Sequence, residues 1–127
     1  MTIFHLVRAA DFKGLLEGDR YAPASLRSEG FVHACGTGDV ATEVANAYFP
    51  RPGGPVLALE LATDGLDVRW EAPAPPDGRA RAHHAPGRTF PHVYGVIPLT
   101  SVVAHAALEE THTGWRWPSR WTPGPPR

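Results

Sequence analysis

Cysteine and lysine are nearly absent from this sequence of 127 residues, which contains only Cys35 and Lys13. A single cysteine excludes an intrachain disulfide and favours a reducing compartment. The glycine-rich stretch "RPGGP" has no lysine and no helix signature after it, so we interpret it as a turn rather than a phosphate-binding loop. No stretch approaches the roughly 20 apolar residues that cross a bilayer, and the amino terminus lacks a signal-peptide pattern. We therefore expect a cytoplasmic protein with no membrane partner.

A charge excess of either sign is also missing. The sequence has 12 basic and 13 acidic residues and a formal net charge of −1. This balance provides no global field that would attract DNA, and we expect no DNA partner. The sequence is instead rich in proline, glycine and histidine, with 14, 13 and 7 residues respectively. The histidines are therefore the first candidates for functional groups.

Hydrophobic periodicity predicts an α+β domain over residues 1–110. The stretch "TIFHLV" alternates as a first strand, and "AADFKGLLEGD" predicts a helix closed by Gly18. A second helix begins after Thr37 or Asp39, either of which can cap it. The apolar run Pro55 to Ala62 predicts a central strand. The order of elements favours two helices on one side of a mainly antiparallel sheet.

Two segments fall outside this regular pattern. Residues from Ala72 to Arg88 predict a loop that carries the pair His83 and His84. Residues 111–127 form a tail that is rich in tryptophan and proline. We expect the tail either to fold back across the domain or to contact a partner protein, because exposed tryptophans are otherwise unfavourable.

Three histidines lie inside or at the edge of short apolar strands, namely His5, His33 and His92. An unpaired polar ring in such a position costs about 1–3 kcal/mol. The placement of three such histidines in apolar strands is easier to explain if their rings converge on one polar cleft. Tyr94 is two residues from His92 and so lies on the same face of an extended segment.

Converging histidines permit several chemistries. Three neutral imidazoles can bind zinc, although no closely spaced pair of ligands supports this alternative. They can also contact ribose hydroxyls or phosphates, or act as general acid and base. Arg27, Arg69 and Arg88 lie beside the histidine stretches and can clamp a phosphate. A Cys35 nucleophile and purely structural histidines remain as further alternatives.

The residues "IFHL", "SLRSEGFVHAC", "RWE" and "FPHVYGVIPLTSVV" occur in this order over about residues 2 to 108. In these motifs the sequence resembles domain-of-unknown-function family 952, a family of small bacterial proteins. The combination of E-G-F-x-H with F-P-H-x-Y-G is the most specific part of the resemblance. The tail lies outside it.

The resemblance implies an ADP-ribosyltransferase-like fold, a split and bent sheet that clamps nicotinamide adenine dinucleotide (NAD). His5 corresponds to the histidine that holds a ribose in that fold, and His33 lies near the position of a stacking tyrosine. His92 stands where the catalytic glutamate is expected. An imidazole does not stabilise positive charge at the anomeric carbon as a carboxylate does. Glu29 or Glu71 could supply the missing carboxylate.

This departure favours chemistry like that of RNA 2′-phosphotransferases, or binding of a related nucleotide-like ligand. Any enzyme activity is expected to be that of a transferase or glycohydrolase, with NAD as a conceivable substrate and no cofactor or metal. The alternative function is a non-catalytic small-molecule or protein-binding module that uses the tail. The candidate catalytic residues are His5, His33, His92 and Tyr94, and the candidate ligand-binding residues are Ser25, Glu29 and Arg69.

Overall fold

The computed structural model describes residues 1–73 and 88–127 as a mixed α+β protein whose sheets are mainly antiparallel. The strands are β1 (Thr2–Arg8), β2 (Leu16–Glu17), β3 (Arg20–Tyr21), β4 (Val32–His33), β5 (Val56–Ala62), β6 (Val68–Glu71), β7 (Phe90–Val93), β8 (Ile97–Pro98), β9 (Val102–Ala107), β10 (Glu109–Glu110), β11 (Trp115–Arg116) and β12 (Thr122–Pro123). The helices are α1 (Ala9–Phe12), α2 (Ser25–Ser28) and α3 (Gly38–Tyr48).

The largest sheet has the strand order β1-β5-β9-β12. The apolar strand β5 lies between β1 and β9, which agrees with the central strand predicted from its composition. In the β1–β5 pair, Ile3 lies opposite Leu61 and His5 lies opposite Leu59. These residues are buried, so His5 is on a strand whose neighbours are core side chains.

Three smaller sheets complete the strand pairing, with the orders β2-β3-β8, β4-β7-β6 and β10-β11. Every strand pair among the described residues is antiparallel. An isolated bridge joins Phe4 of β1 to Cys35, just after β4. The sheet that contains β4 therefore meets the largest sheet at this bridge.

The helices are few, and only α3 is longer than four residues. Thr37 caps α3, since its hydroxyl accepts a hydrogen bond from the Val40 amide at 3.2 Å. The first predicted helix ends early, because α1 covers only four residues and a 3-10 turn follows it. Gly14 lies in that turn, and glycine disfavours continued α-helix. Gly18 has a φ of 66° and lies in the turn between β2 and β3, rather than closing a helix.

The tail folds back onto the rest of the chain. Trp115 is buried, and its indole Nε1 donates to the Phe49 carbonyl at 2.7 Å. Trp117 packs edge-on against Phe4, with the ring centroids 5.0 Å apart, and β12 pairs with β9. The boundary predicted at residue 110 stays a prediction, but the segment after it supplies one side of a hydrophobic cluster with α3.

Residues 74–87 are outside the described part of the chain. Most of the predicted Ala72 to Arg88 loop, including His83 and His84, therefore lies outside it as well. Within the described residues, none of the helices has the length and apolar character needed to cross a membrane.

Candidate functional site

The three-stranded sheet β4-β7-β6 brings together polar residues from three separate parts of the sequence. His33 on β4 lies opposite His92 on β7, and Arg69 on β6 lies opposite the same histidine. Residues that are directly opposite one another on paired strands project from the same face of a sheet. The register therefore places His33, His92 and Arg69 in one row across the sheet.

Glu71 and Tyr94 lie next to this row on the same face, since Glu71 is two residues after Arg69 on β6 and Tyr94 is two residues after His92, just past β7. One carboxylate oxygen, Oε1 of Glu71, accepts a hydrogen bond from the Tyr94 hydroxyl at 2.6 Å. The same oxygen accepts a second hydrogen bond from Nδ1 of His92 at 2.8 Å. Because a carboxylate oxygen can only accept here, the proton of a neutral His92 is on Nδ1 and Nε2 carries a lone pair.

The shared hydrogen bonds set the ionisation states of these three groups. Donation from Tyr94, and then from His92, lowers the pKa of Glu71. Burial lowers the pKa of His92, and this effect outweighs the opposing influence of Glu71. The hydrogen bond to Glu71 raises the pKa of Tyr94. Near neutral pH the site therefore holds an ionised Glu71, a neutral His92 and a protonated Tyr94.

Phe31 covers the histidine row from one side. Its ring stacks on His92 with centroids 4.0 Å apart and planes 18° from parallel. The side chain of His92 is only 3% exposed, whereas the side chain of His33 is 41% exposed. The two imidazoles lie edge to face with centroids 5.6 Å apart. His92 is therefore the buried imidazole of the site, and His33 is its solvent-accessible imidazole.

A second carboxylate supports His33. Oε2 of Glu29 lies 2.9 Å from Nε2 of His33. Gly30, with a φ of 89°, reverses the chain between Glu29 and β4 and allows this contact. Because Nε2 donates to Glu29, a neutral His33 has its lone pair on Nδ1.

Arg69 lies at the other end of the row. Its Nε and Nη2 donate to the two carboxylate oxygens of Asp67 at 3.2 and 3.0 Å. The guanidinium carbon is 4.2 Å from the centroid of the Tyr94 ring. Arg69 is therefore held in one orientation by an ion pair and a cation–π contact, although it is exposed.

His5 does not share these surroundings. Its Nδ1 donates to the backbone carbonyl of His33 at 2.7 Å, and its Nε2 accepts from the Tyr21 hydroxyl at 2.7 Å. Burial lowers the pKa of His5 to about 4 and raises the pKa of Tyr21. Both ring nitrogens of His5 are thus occupied by internal partners, which leaves neither nitrogen for the direct ribose contact that we expected.

The other predicted residues are more dispersed. Ser25 begins α2, and its hydroxyl forms no hydrogen bond with another described residue. Arg27 is exposed in the same helix, and Arg88 contacts Glu43 at 2.6 Å.

Burial raises the pKa of the Cys35 thiol to about 12, which disfavours a reactive thiolate. Within residues 1–73 and 88–127, no three potential metal ligands converge, so the zinc alternative gains no support there.

Three important residues were missed by sequence reasoning or placed differently. The resemblance named Glu71 only as one of two residues that could supply the missing carboxylate, and the structure shows that it accepts hydrogen bonds from His92 and Tyr94. Phe31 and Tyr21 were not singled out at all. The alternation in "RWE" puts Glu71 on the same face as Arg69, and this was the one available signal. Nothing local in the sequence indicates the partner strand.

Fold and site together define a small α+β protein with a histidine–carboxylate cluster on an antiparallel sheet. The chain belongs to the family described as Protein of unknown function (DUF952), which it matches over residues 6–105. This match confirms the family resemblance that the motifs indicated. No curated protein sequence matches the chain.

Two solved structures of protein CC0527 from Caulobacter crescentus are similar in fold. The crystal structure is 24% identical, with a TM-score of 0.68 over 91% of this chain and 92% of that chain. The solution NMR structure is 25% identical, with a TM-score of 0.64 over 90% of both chains. The architecture of this chain is therefore shared by an experimentally determined structure.

Proposed function

We propose that the protein binds and processes a nucleotide-like ligand, NAD or a phosphorylated ribose, at the cluster of His33, His92, Glu71 and Tyr94. One observation carries the proposal. A single oxygen of Glu71 accepts hydrogen bonds from both His92 and Tyr94. This arrangement fixes an ionised carboxylate and a neutral imidazole side by side, which is typical of sites that move protons.

Each group has a distinct role in this proposal. The second oxygen of Glu71, Oε2, has no partner among the described residues and accepts a ribose hydroxyl. His33 is the accessible imidazole, and its Nδ1 lone pair exchanges a proton with the ligand. His92 lies behind Glu71 and stabilises its charge. His5 has a supporting role, since it holds the His33 carbonyl at 2.7 Å.

Glu71 also bears on the kind of chemistry. In the proposed ADP-ribosyltransferase-like arrangement, His92 stands where a glutamate is expected. Glu71, on the neighbouring strand, supplies a carboxylate 2.8 Å from that histidine. A fixed carboxylate is the group that stabilises positive charge developing at an anomeric carbon. Transfer or hydrolysis at a ribose carbon is therefore compatible with this site, as is phosphotransfer.

The ADP-ribosyltransferase-like arrangement of the sheets is part of the same proposal. Two features support it, namely the division into separate antiparallel sheets and the bridge between Phe4 and Cys35. In such an arrangement the ligand lies where the two sheets meet. His33 is two residues before Cys35 on the chain, close to that junction.

A thermal-shift screen tests the proposal with NAD, ADP-ribose and 2′-phosphorylated nucleotides as ligands. A ligand at a hundredfold its dissociation constant stabilises by about 2.7 kcal/mol, which raises Tm by roughly 10 °C. We expect a shift with at least one of these compounds, lost in Glu71→Gln and His33→Ala. The matched control is His112→Ala, which removes an exposed histidine of the tail.

The absence of any shift, or an equal loss in the His112→Ala control, would contradict the proposal.

The alternative of a protein-binding module has less support than the sequence suggested. Trp115 is buried in the protein's own core, and Trp117 packs on Phe4. Deleting the tail would therefore disturb folding and cannot separate the two functions.

A further inference from the structure

Arg69 is an exposed side chain in an unusually constrained position. Its side chain is 56% exposed, yet Asp67 binds two of its nitrogens and the Tyr94 ring lies 4.2 Å from its guanidinium carbon. Exposed arginines normally sample several rotamers, and fixing one of them costs conformational entropy. Asp67 and Tyr94 both act to hold this guanidinium before any ligand arrives.

The hydrogen bonds to Asp67 use only one edge of the guanidinium. Nε and Nη2 form the side edge, and both donate to Asp67. The end edge, formed by Nη1 and the second hydrogen of Nη2, has no partner among the described residues. A guanidinium edge of this kind binds phosphate oxygens through two parallel hydrogen bonds.

The position of Arg69 relates this edge to the histidine row. Arg69 is directly opposite His92 in the β6–β7 pair. Opposite residues of an antiparallel pair have Cα atoms about 4.5–5.5 Å apart. Arg69 is also two residues before Glu71 on the same face of β6, so a sugar that contacts Glu71 can carry a substituent within reach of Arg69.

Arg69 is better suited to this role than Arg88, Arg8 or Arg27. Arg88 contacts Glu43 and lies over Phe90, and Arg8 donates to the backbone carbonyls of Pro50 and Gly54. Arg27 is exposed on α2 outside the row. Of the three arginines that the sequence suggested as phosphate clamps, Arg69 alone lies opposite His92.

We propose that the open end edge of Arg69, held in place by Asp67 and Tyr94, binds the phosphate group of a phosphorylated sugar whose hydroxyls contact Glu71. This inference rests on the proposed function and narrows its ligand to a phosphorylated ribose. Asp67 is a positioning residue in this arrangement, because it acts on the ligand only through Arg69. The carboxylates of Asp67 and Glu71 disfavour a free anion, so the sugar contacts and the phosphate contact are needed together.

Isothermal titration calorimetry with ribose 5-phosphate and ribose tests the inference at matched ionic strength. We expect ribose 5-phosphate to bind about tenfold more tightly than ribose, because two charge-assisted hydrogen bonds add to the sugar contacts. Arg69→Gln should remove this advantage and leave ribose binding unchanged. Asp67→Asn should change the advantage by a smaller factor than Arg69→Gln, since the Tyr94 contact remains and the loss of a negative charge near the phosphate offsets the loss of the ion pair. The control Arg120→Gln removes a positive charge from the tail and should have no effect.

The outcomes separate this inference from the proposed function. Equal binding of both sugars, or an advantage that persists in Arg69→Gln, overturns the inference, while Glu71→Gln still tests the proposed function through ribose itself. A loss of the advantage in Arg120→Gln also overturns the inference, because it indicates a general charge effect. Failure of both sugars to bind the wild-type protein overturns the inference, whereas the proposed function is then decided by the thermal-shift screen with NAD, ADP-ribose and 2′-phosphorylated nucleotides.

Discussion

His5 and His92 are the same kind of side chain in two different regions of the molecule. Both are on strands and both are buried, with 6% and 2% of their surface exposed. His5 belongs to the largest sheet, where the Tyr21 hydroxyl and the His33 carbonyl occupy both of its ring nitrogens. His92 belongs to the small sheet, where Glu71 occupies one nitrogen and the other has no partner among the described residues.

This difference separates a structural histidine from a candidate functional one more clearly than burial does. The network of His5 is closed, since every polar atom of the ring is satisfied inside the protein. The network of His92 ends at Glu71 and Tyr94, which are partly accessible to solvent. A closed network stabilises the fold, whereas an open one can respond to a ligand.

The largest expected effect comes from Phe31, which covers His92. Phe31→Ala removes a stacked, largely buried ring and should reduce the free energy of unfolding by about 3–5 kcal/mol. The pKa of His92 should rise towards its ordinary value, because burial is the main cause that lowers it. Urea unfolding and an NMR pH titration measure the two effects. Phe31→Leu is the control, and a similar rise of the pKa in this variant would show that stacking, rather than burial, is responsible.

The next effect is the pH dependence of stability that His5 contributes. In the unfolded chain His5 binds a proton below its ordinary pKa of 6.5, whereas in the folded protein it does so only near 4. The contribution is therefore fully present above 6.5 and is lost as the pH falls towards 4, by about 3 kcal/mol. Denaturant unfolding at several pH values measures it. His5→Gln should have a weaker acid dependence than the wild type, and an unchanged dependence would contradict this role.

A substitution of Tyr21, the partner of His5, tests the same closed network. Tyr21→Phe removes the hydroxyl that donates to Nε2 of His5 and leaves a buried nitrogen unsatisfied, so stability should fall by about 1–3 kcal/mol. Tyr94→Phe is the matched variant in the open network. It should cost less, because water can replace the hydroxyl as a partner of Glu71. Equal losses in thermal unfolding would remove the distinction between the two regions.

The smallest effect on the fold is expected from Glu71→Gln. Loss of the carboxylate should lower the pKa of His92 further, since Glu71 is the main group that raises it. The pKa of Tyr94 should move down towards its usual value for the same reason. NMR titration of His92 and ultraviolet titration of the tyrosines measure these shifts. Glu110→Gln, an exposed change on β10, is the control and should shift neither group.

Part of this comparison could be predicted from the sequence. The spacing of His92 and Tyr94 indicated a shared face, and their meeting at one oxygen of Glu71 confirms it. The alternation of β1 and the apolar run of β5 predicted two strands of the largest sheet. These features depend on residues that are close along the chain, where periodicity is informative.

The remaining features depend on pairing between distant residues. Tyr21 reaches His5 from a two-residue strand that no local pattern predicts. Glu71 reaches His92 only because β6 pairs with β7 in the observed register. A shift of one residue would turn Glu71 to the opposite face. Sequence reasoning therefore grouped His5 with His33 and His92, whereas their hydrogen-bond partners separate them.

The most direct test of the central claim is an NMR measurement of the histidine ring nitrogens during a titration with ADP-ribose. We predict that neutral His5 and His92 both carry their proton on Nδ1. The ring signals of His33 and His92 should then shift as ligand binds, while those of His5 stay unchanged. Shifts at His5 of the same size, or none at His33 and His92, would contradict the assignment of an open functional network and a closed structural one.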